Sequence, residues 1–226
     1  MSHEPRLVEV RRNLLKQNDL VARRLRDRFS EAGVFVVSMV SSPGAGKTAL
    51  LERILTELQP RFRVAALVGD LATENDAARL ARSRAPVRQI TTGTLCHLEA
   101  AMIETAVADW DLAQLDFLFV ENVGNLVCPA SYDLGENLRL VLMSVTEGED
   151  KPLKYPTIFN SADVAVITKV DLADAVEFPW ALALQNIQAV RPGMEILRVS
   201  AKTGAGLPAA LAFLGSRLAE RRVVSR

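Results

Sequence analysis

Short, continuous apolar runs alternate along this chain with longer segments in which apolar residues recur at helical spacing. The apolar runs predict buried strands within 34–41 and at 64–68, 87–90, 117–120, 138–145, 164–167 and 195–199. The helical spacing predicts helices at 7–29, from Lys47 to about Pro60, and at 75–83, 98–110, 178–190 and 207–221. Strands that are apolar throughout and alternate with helices predict an α/β fold with a mostly parallel sheet covered by helices on both faces.

Composition narrows the class of protein. The 226 residues suffice for one α/β domain spanning 1–226, with residues 1–30 as a helix packed on it. Lys+Arg 27 balances Asp+Glu 27, which argues against a nucleic-acid or membrane-surface binder. No apolar run reaches the roughly 20 residues that span a bilayer, and the first residues lack a secretory core. Two cysteines are no disulfide framework, so we expect a cytoplasmic protein with reduced thiols.

The segment 41–51 joins the first predicted strand to a helix through a turn of small residues. Gly44 and Gly46 supply the backbone conformations that let amide groups surround a polyphosphate. Lys47 would contact the outer phosphates, and the Thr48 hydroxyl would bind Mg²⁺. Ser41 stands where the usual pattern has glycine, and the alternative is a strand-to-helix turn that binds nothing. The predicted nucleotide contacts here are Ser42, Gly44, Ala45, Gly46, Lys47, Thr48 and Ala49.

Two acidic residues follow other predicted strands, where ligands of parallel sheets bind. Glu121 could hold Mg²⁺ directly or through water, and Gly124 could offer its N–H to the terminal phosphate. Asp70 could bind Mg²⁺ or orient the attacking water. Each also has a structural alternative, because Glu121 could belong to a simple strand-end turn and Asp70 could cap the next helix. We predict that Lys47, Asp70 and Glu121 form the catalytic set.

The segment after the sixth strand contains a pair of residues typical of guanine recognition. Asp171 can accept two N–H groups that guanine offers and adenine lacks, and the stem of Lys169 can lie flat on the base. Thr168 replaces the usual asparagine of this motif. Ser200 and Lys202 lie after the last strand, in a segment similar to the final base-contacting loop of G proteins.

The two cysteines and one of the two histidines form a second candidate site. Cys96, His97 and Cys128 all follow predicted strands, so we expect them at the ligand edge of the sheet. Thiolate and imidazole suit Zn²⁺ and Ni²⁺, and three ligands leave a coordination position open for a releasable ion. The alternative is two buried structural thiols and a surface histidine.

These stretches together resemble the HypB family, the nickel-incorporation GTPases of [NiFe]-hydrogenase maturation. The resemblance covers nearly the whole chain. It rests on 41–48, 69–73, 96–98, 121–129 and 145–156. It implies a SIMIBI-type P-loop GTPase that binds GTP and Mg²⁺ and forms a homodimer across its nucleotide face. It also implies that Cys96, His97 and Cys128 bind Ni²⁺ or Zn²⁺ at that interface.

The resemblance further implies partners. They are a HypA-type nickel and zinc accessory protein and the hydrogenase large subunit, with no nucleic acid and no membrane involved. The N-terminal cysteine-rich or histidine-rich stretches of some family members are absent here, so nickel storage is not expected. Two other functions stay open. One is a related GTPase that matures another metalloenzyme such as urease, although the spacing of Cys96, His97 and Cys128 argues against urease. The other is a metal-binding protein with a weak NTPase site. A kinase is disfavoured by Lys169 and Asp171.

Overall fold

The computed structural model describes residues 4–70 and 79–224, and these contain a parallel sheet of seven strands. Every described strand pair is parallel, and the strand order is β3-β2-β4-β1-β5-β6-β7. The strands are β1 Phe35–Ser41, β2 Val64–Asp70, β3 Val87–Thr91, β4 Phe117–Glu121, β5 Leu138–Ser144, β6 Val164–Thr168 and β7 Glu195–Arg198. The predicted fold class is therefore confirmed.

Helices cover both faces of this sheet. They are α1 Glu4–Ala32, α2 Lys47–Leu58, α3 Ala100–Ala106, α4 Lys151–Lys154, α5 Pro156–Ser161, α6 Trp180–Val190 and α7 Leu207–Val224. Successive side chains of a strand point to opposite faces. Val37 and Met39 therefore join the core beneath α2 and α7, whereas Val36 packs with α1 and α3. Among the described residues, no helix is both long and apolar enough to cross a membrane.

Several predicted elements differ in extent from those observed. The helix predicted at 98–110 is wrong at both ends and spans Ala100–Ala106. At its start, the Leu98 N–H donates to the Asn122 side chain, which a local pattern cannot reveal. The helix predicted at 75–83 falls largely outside the described residues, and Ala81–Ser83 forms a 3₁₀ turn. The edge strands β3 and β7 are partly exposed rather than apolar throughout.

Helix α1 is joined by polar contacts to two segments that follow strands. The buried Asn18 amide accepts a hydrogen bond from the Ala100 N–H at 2.9 Å and donates to the Asp133 carbonyl at 2.8 Å. Arg26 donates to both carboxylate oxygens of Asp133, at 2.7 and 2.8 Å. Asn18 therefore links the start of α3 to the segment that precedes β5.

We expect Asn18→Ala to lower the free energy of unfolding by about 1–3 kcal/mol, because it leaves the buried Ala100 N–H and the partly buried Asp133 carbonyl without their partner. Urea denaturation monitored by circular dichroism measures this loss. Asn13→Ala, at an exposed position of the same helix, is the matched control and should change stability little. Equal effects of the two substitutions would contradict a bridging role for Asn18.

Candidate nucleotide and metal sites

The turn between β1 and α2 has the geometry of a phosphate-binding loop. Gly44 and Gly46 have φ angles of 76° and 94°, conformations that favour glycine, and α2 begins at Lys47 directly after them. The Lys47 ammonium donates to the Ser41 hydroxyl at 2.9 Å. Ser41, which departs from the usual glycine, therefore supplies an acceptor for the ammonium at the end of β1. The start of α2 directs its positive dipole end toward this loop.

A cavity of about 550 Å³ lies at this turn and includes most of the predicted phosphate and magnesium residues. Asp70 from the end of β2 and Glu121 from the end of β4 line it together with Lys47, Thr48 and Gly124. The Thr48 hydroxyl donates to Glu121 Oε1 at 2.7 Å. Hydroxyl and carboxylate oxygens are the ligands that Mg²⁺ prefers, so this donor set fits the ion.

A second cavity, of about 240 Å³, lies beside α2 and is lined by Thr168 and by the predicted base-contacting residues Lys169, Asp171, Ser200 and Lys202. The Ser200 hydroxyl donates to Asp171 Oδ1 at 2.5 Å, which orients that carboxylate. Lys169 has a φ of 56°, and its ammonium donates to the Gly44 carbonyl at 2.7 Å. The structure therefore brings the loop after β6 and the loop after β7 beside the phosphate-binding turn.

Thr168, which stands in place of the usual asparagine, also contacts the phosphate-binding turn. Its buried hydroxyl donates to the Ala45 carbonyl at 2.6 Å and lies 3.3 Å from the Met143 carbonyl. The side chain therefore ties the end of β6 to the turn that follows β1. The hydroxyl group of Thr168 is sufficient to make this link to the turn.

Cys96, His97 and Cys128 come together as expected. Their potential ligand atoms all lie within 4.8 Å of one another. The structure joins the two cysteines in a disulfide with a Cα–Cα distance of 6.4 Å. Reduced thiols were expected from the sequence, and only the reduced form could bind a metal ion through both sulfur atoms. The spacing of 32 residues gave no sign of the pairing, because the folded chain alone brings the loops after β3 and β4 together.

The imidazole of His97 is buried beside the sulfur atoms. Its Nδ1 lies 3.8 Å from Cys96 Sγ, and its Nε2 lies 3.4 Å from Glu99 Oε1. The ring is tilted by 35° over the Tyr132 ring, with centroids 3.9 Å apart. Burial lowers the pKa of His97, against the opposing influence of Glu99. A lowered pKa favours the neutral ring, the form that binds metal ions.

Glu147 contacts the phosphate-binding turn and was missed by the sequence reasoning. Its carboxylate accepts hydrogen bonds from the Ser42 hydroxyl and from the Ser144 N–H, and Lys151 lies 3.4 Å away. These contacts give a physical reason for the acidic residue and the lysine at the start of the segment 147–156. The spacing Ser144-x-x-Glu147 is a capping-box pattern, and it was the available signal.

Comparisons with known proteins agree with this geometry. A family model described as "CobW/HypB/UreG, nucleotide-binding domain" matches residues 35–198, well over half of the chain. The hydrogenase maturation factor HypB of Rhizobium leguminosarum bv. viciae is 45% identical over 226 residues, covering 100% of this chain and 75% of that protein. The chain belongs to the HypB family. The corresponding factor of Escherichia coli K12 is 44% identical over 202 residues, covering 89% of this chain and 70% of that protein.

Solved structures of HypB family members share the fold. The crystal structure of HypB from Helicobacter pylori in complex with nickel has a TM-score of 0.85 and 41% identity, covering 90% of this chain and 96% of that chain. The structure of hydrogenase maturation factor HypB from Archaeoglobus fulgidus has a TM-score of 0.83 and 36% identity, covering 90% of this chain and 99% of that chain. The P-loop fold with an N-terminal helix is thus shared with HypB family structures.

The paired cysteines lead to a prediction about metal binding. We expect the reduced chain to bind Ni²⁺ with a thiolate-to-nickel charge-transfer absorption band, because a cysteine sulfur ligates the ion as a thiolate and not as part of a disulfide. The oxidised chain should lack that band. Titration of Ni²⁺ into both forms, after a phosphine reductant has been removed, measures the difference. Reduced Cys128→Ser should weaken the band, and equal nickel affinity of oxidised and reduced chains would show that the thiolates are not ligands.

Proposed function

We propose that this protein is a GTP-hydrolysing metallochaperone that couples nucleotide binding to delivery of nickel into the [NiFe]-hydrogenase large subunit. One observation carries the proposal. The cavity lined by Lys47 and Glu121 and the cluster of Cys96, His97 and Cys128 are both built from loops at the carboxyl edge of the same sheet. A nucleotide in that cavity would contact the loop after β4, residues 121–124, and the same loop carries Cys128 four residues further on.

The nucleotide half of the proposal assigns a task to each polar group. Lys47 exchanges the Ser41 hydroxyl for the outer phosphates, a stronger partner because both groups are charged. Thr48 and Glu121, with Asp70, would hold Mg²⁺, which would neutralise charge that develops on the phosphates. Gly124 offers its N–H to the terminal phosphate. Asp70 lines the same cavity and could also orient the attacking water.

The base-reading half rests on Asp171 and Lys169. Asp171, oriented by Ser200, accepts the two N–H groups of guanine, and the Lys169 stem covers the base. Lys202 lines the same cavity and completes the base-contacting set. Ser42, Ala45 and Ala49 belong to the phosphate turn and the first turn of α2. Their short side chains keep the backbone within reach of the phosphates.

The metal half assigns Cys96, His97 and Cys128 as ligands for nickel as cargo, with Zn²⁺ as the alternative ion. Three ligands from one chain leave a position open, which suits an ion that must be passed on. We further propose that the protein is cytoplasmic and forms a homodimer when GTP or metal binds. Its partners would be a HypA-type accessory protein and the hydrogenase large subunit. The nickel complex of the Helicobacter pylori relative supports the choice of ion.

A second target enzyme is favoured by one comparison. The relative from Helicobacter hepaticus, 44% identical over 199 residues, covering 86% of this chain and 81% of that protein, is named a hydrogenase/urease maturation factor. The same nucleotide and metal sites could therefore serve urease as well. Nickel transfer measured with each apo-enzyme distinguishes the two targets.

We expect Lys47→Ala to abolish GTP hydrolysis while leaving the fold intact, because it removes the ammonium that would neutralise the outer phosphates. Steady-state phosphate release measures turnover, and circular dichroism checks the fold. Lys16→Ala, at an exposed position of α1, is the matched lysine control and should turn over normally. Normal hydrolysis by Lys47→Ala would refute the assignment of the phosphate site.

We expect Asp171→Ala to lose about 10-fold to 100-fold in GTP affinity and to leave ATP affinity unchanged, because a carboxylate–guanine pairing is worth about 1.5–3 kcal/mol. Fluorescence titration with labelled GTP and ATP measures both affinities. Asp174→Ala, an exposed carboxylate three residues along the chain, is the control. An equal loss for both nucleotides in Asp171→Ala would exclude base reading by this residue.

A further inference from the structure

The side chain of Asn122 connects the nucleotide cavity to the segment that follows the metal ligands. Asn122 is 2% exposed and follows Glu121 at the end of β4. Its Oδ1 accepts two hydrogen bonds, from the Val123 N–H at 2.9 Å and from the Leu98 N–H at 3.0 Å. One oxygen atom therefore joins its own turn to the residue that directly follows His97.

The turn that contains Asn122 lies against the phosphate-binding loop. Its Gly124 packs so closely on Pro43 that an added Cβ would come within 3.1 Å of the Pro43 Cα. The Asn122 N–H donates to the Met39 carbonyl at 3.0 Å, which holds the start of the turn beside β1. A terminal phosphate that contacts Gly124 would therefore act on the same turn that contains Asn122.

Leu98 receives contacts from a second part of the nucleotide cavity. Its side chain is fully buried against Gly69, where an added Cβ would lie 2.7 Å from the Leu98 Cγ. Gly69 immediately precedes Asp70, one of the proposed magnesium residues. Leu98 therefore contacts the ends of both β2 and β4, and it lies one residue beyond His97 in the chain.

A similar contact from an asparagine side chain orders the loop that contains Cys128. Asn125 Oδ1 accepts hydrogen bonds from the Val127 N–H at 2.7 Å and from the Cys128 N–H at 3.3 Å. Cys128 is thus joined to the turn by a short, hydrogen-bonded stretch of chain. Cys96 and His97 follow a different strand, and the hydrogen bond from the next residue, Leu98, to Asn122 joins their segment to the same turn.

We propose that Asn122 is the positioning residue through which the nucleotide state sets the placement of Cys96 and His97. The inference deepens the proposed function and rests on it. When the 121–124 turn adjusts to a terminal phosphate, the Asn122 oxygen moves with it. Because a buried N–H without an acceptor is costly, the Leu98 amide follows that oxygen and carries the adjacent ligands with it. The nucleotide would thereby alter the distance between His97 and Cys128 and the affinity for the ion.

The test compares Ni²⁺ affinity of the reduced, full-length protein with GDP and with a non-hydrolysable GTP analogue. We expect the wild type to show at least about a fivefold difference between the two nucleotide states, a usual size for coupling between sites. In Asn122→Ala the ratio of the two affinities should fall toward one. The nickel–thiolate absorption bands should also stop shifting when the nucleotide is exchanged.

Asn137→Ala is the matched control. Asn137 Oδ1 also accepts a backbone hydrogen bond, from the Val36 N–H at 2.8 Å, but it lies at the opposite end of the sheet, before β5. This variant should keep the wild-type ratio. If Asn122→Ala does not fold, Asn122→Ser serves instead, because its shorter side chain can accept from Val123 but does not reach Leu98.

The possible outcomes separate this inference from the function on which it rests. A wild type with the same nickel affinity in both nucleotide states would overturn the proposed coupling and this inference with it. A wild-type difference that persists unchanged in Asn122→Ala would overturn the inference alone. Weaker nickel binding by the same factor in both states would indicate a merely structural role and would likewise overturn it.

Discussion

Parallel alignment of the seven strands is the constraint on which the rest of the structure depends. Because every described strand points the same way, the loops that follow them meet at one edge of the sheet. The strand order places β4 between β2 and β1, so Glu121 lies between Asp70 and the phosphate-binding turn. β3 borders β2, which brings the loop with Cys96 and His97 to the same edge. The central strand β4 is followed by Asn122, which lines the nucleotide cavity and accepts a hydrogen bond from Leu98, the residue after His97.

The phosphate-binding turn is held in shape by four polar contacts. Lys47 bonds to Ser41, Thr168 to Ala45, and Lys169 to Gly44. In the fourth contact, the Ser42 hydroxyl donates to the Glu147 carboxylate. These contacts preorganise the backbone before any anion arrives, which lowers the ordering cost of binding. They also connect the turn to the loops after β5 and β6, so nucleotide binding would affect the positions of those loops as well.

The structural features that depend on local sequence pattern were predicted best. Strands, the glycine turn and the order of the polar segments follow from residue type and spacing, and the structure confirms them. The length of α3 was wrong because its start is set by the bond from Leu98 to Asn122, residues far apart in the chain. The link between Ser42 and Glu147 was missed for the same reason. The pairing of Cys96 with Cys128 likewise depends on the folded arrangement of two loops.

The central claim is that a phosphate site and a thiolate–imidazole site share one edge and affect each other. Linkage requires any such effect to be reciprocal. The most direct measurement is therefore the affinity of the reduced protein for a non-hydrolysable GTP analogue, with and without saturating Ni²⁺. Our account predicts that nickel changes this affinity at least about fivefold more than it changes the affinity for GDP. Equal effects of nickel on the two nucleotide affinities would contradict it.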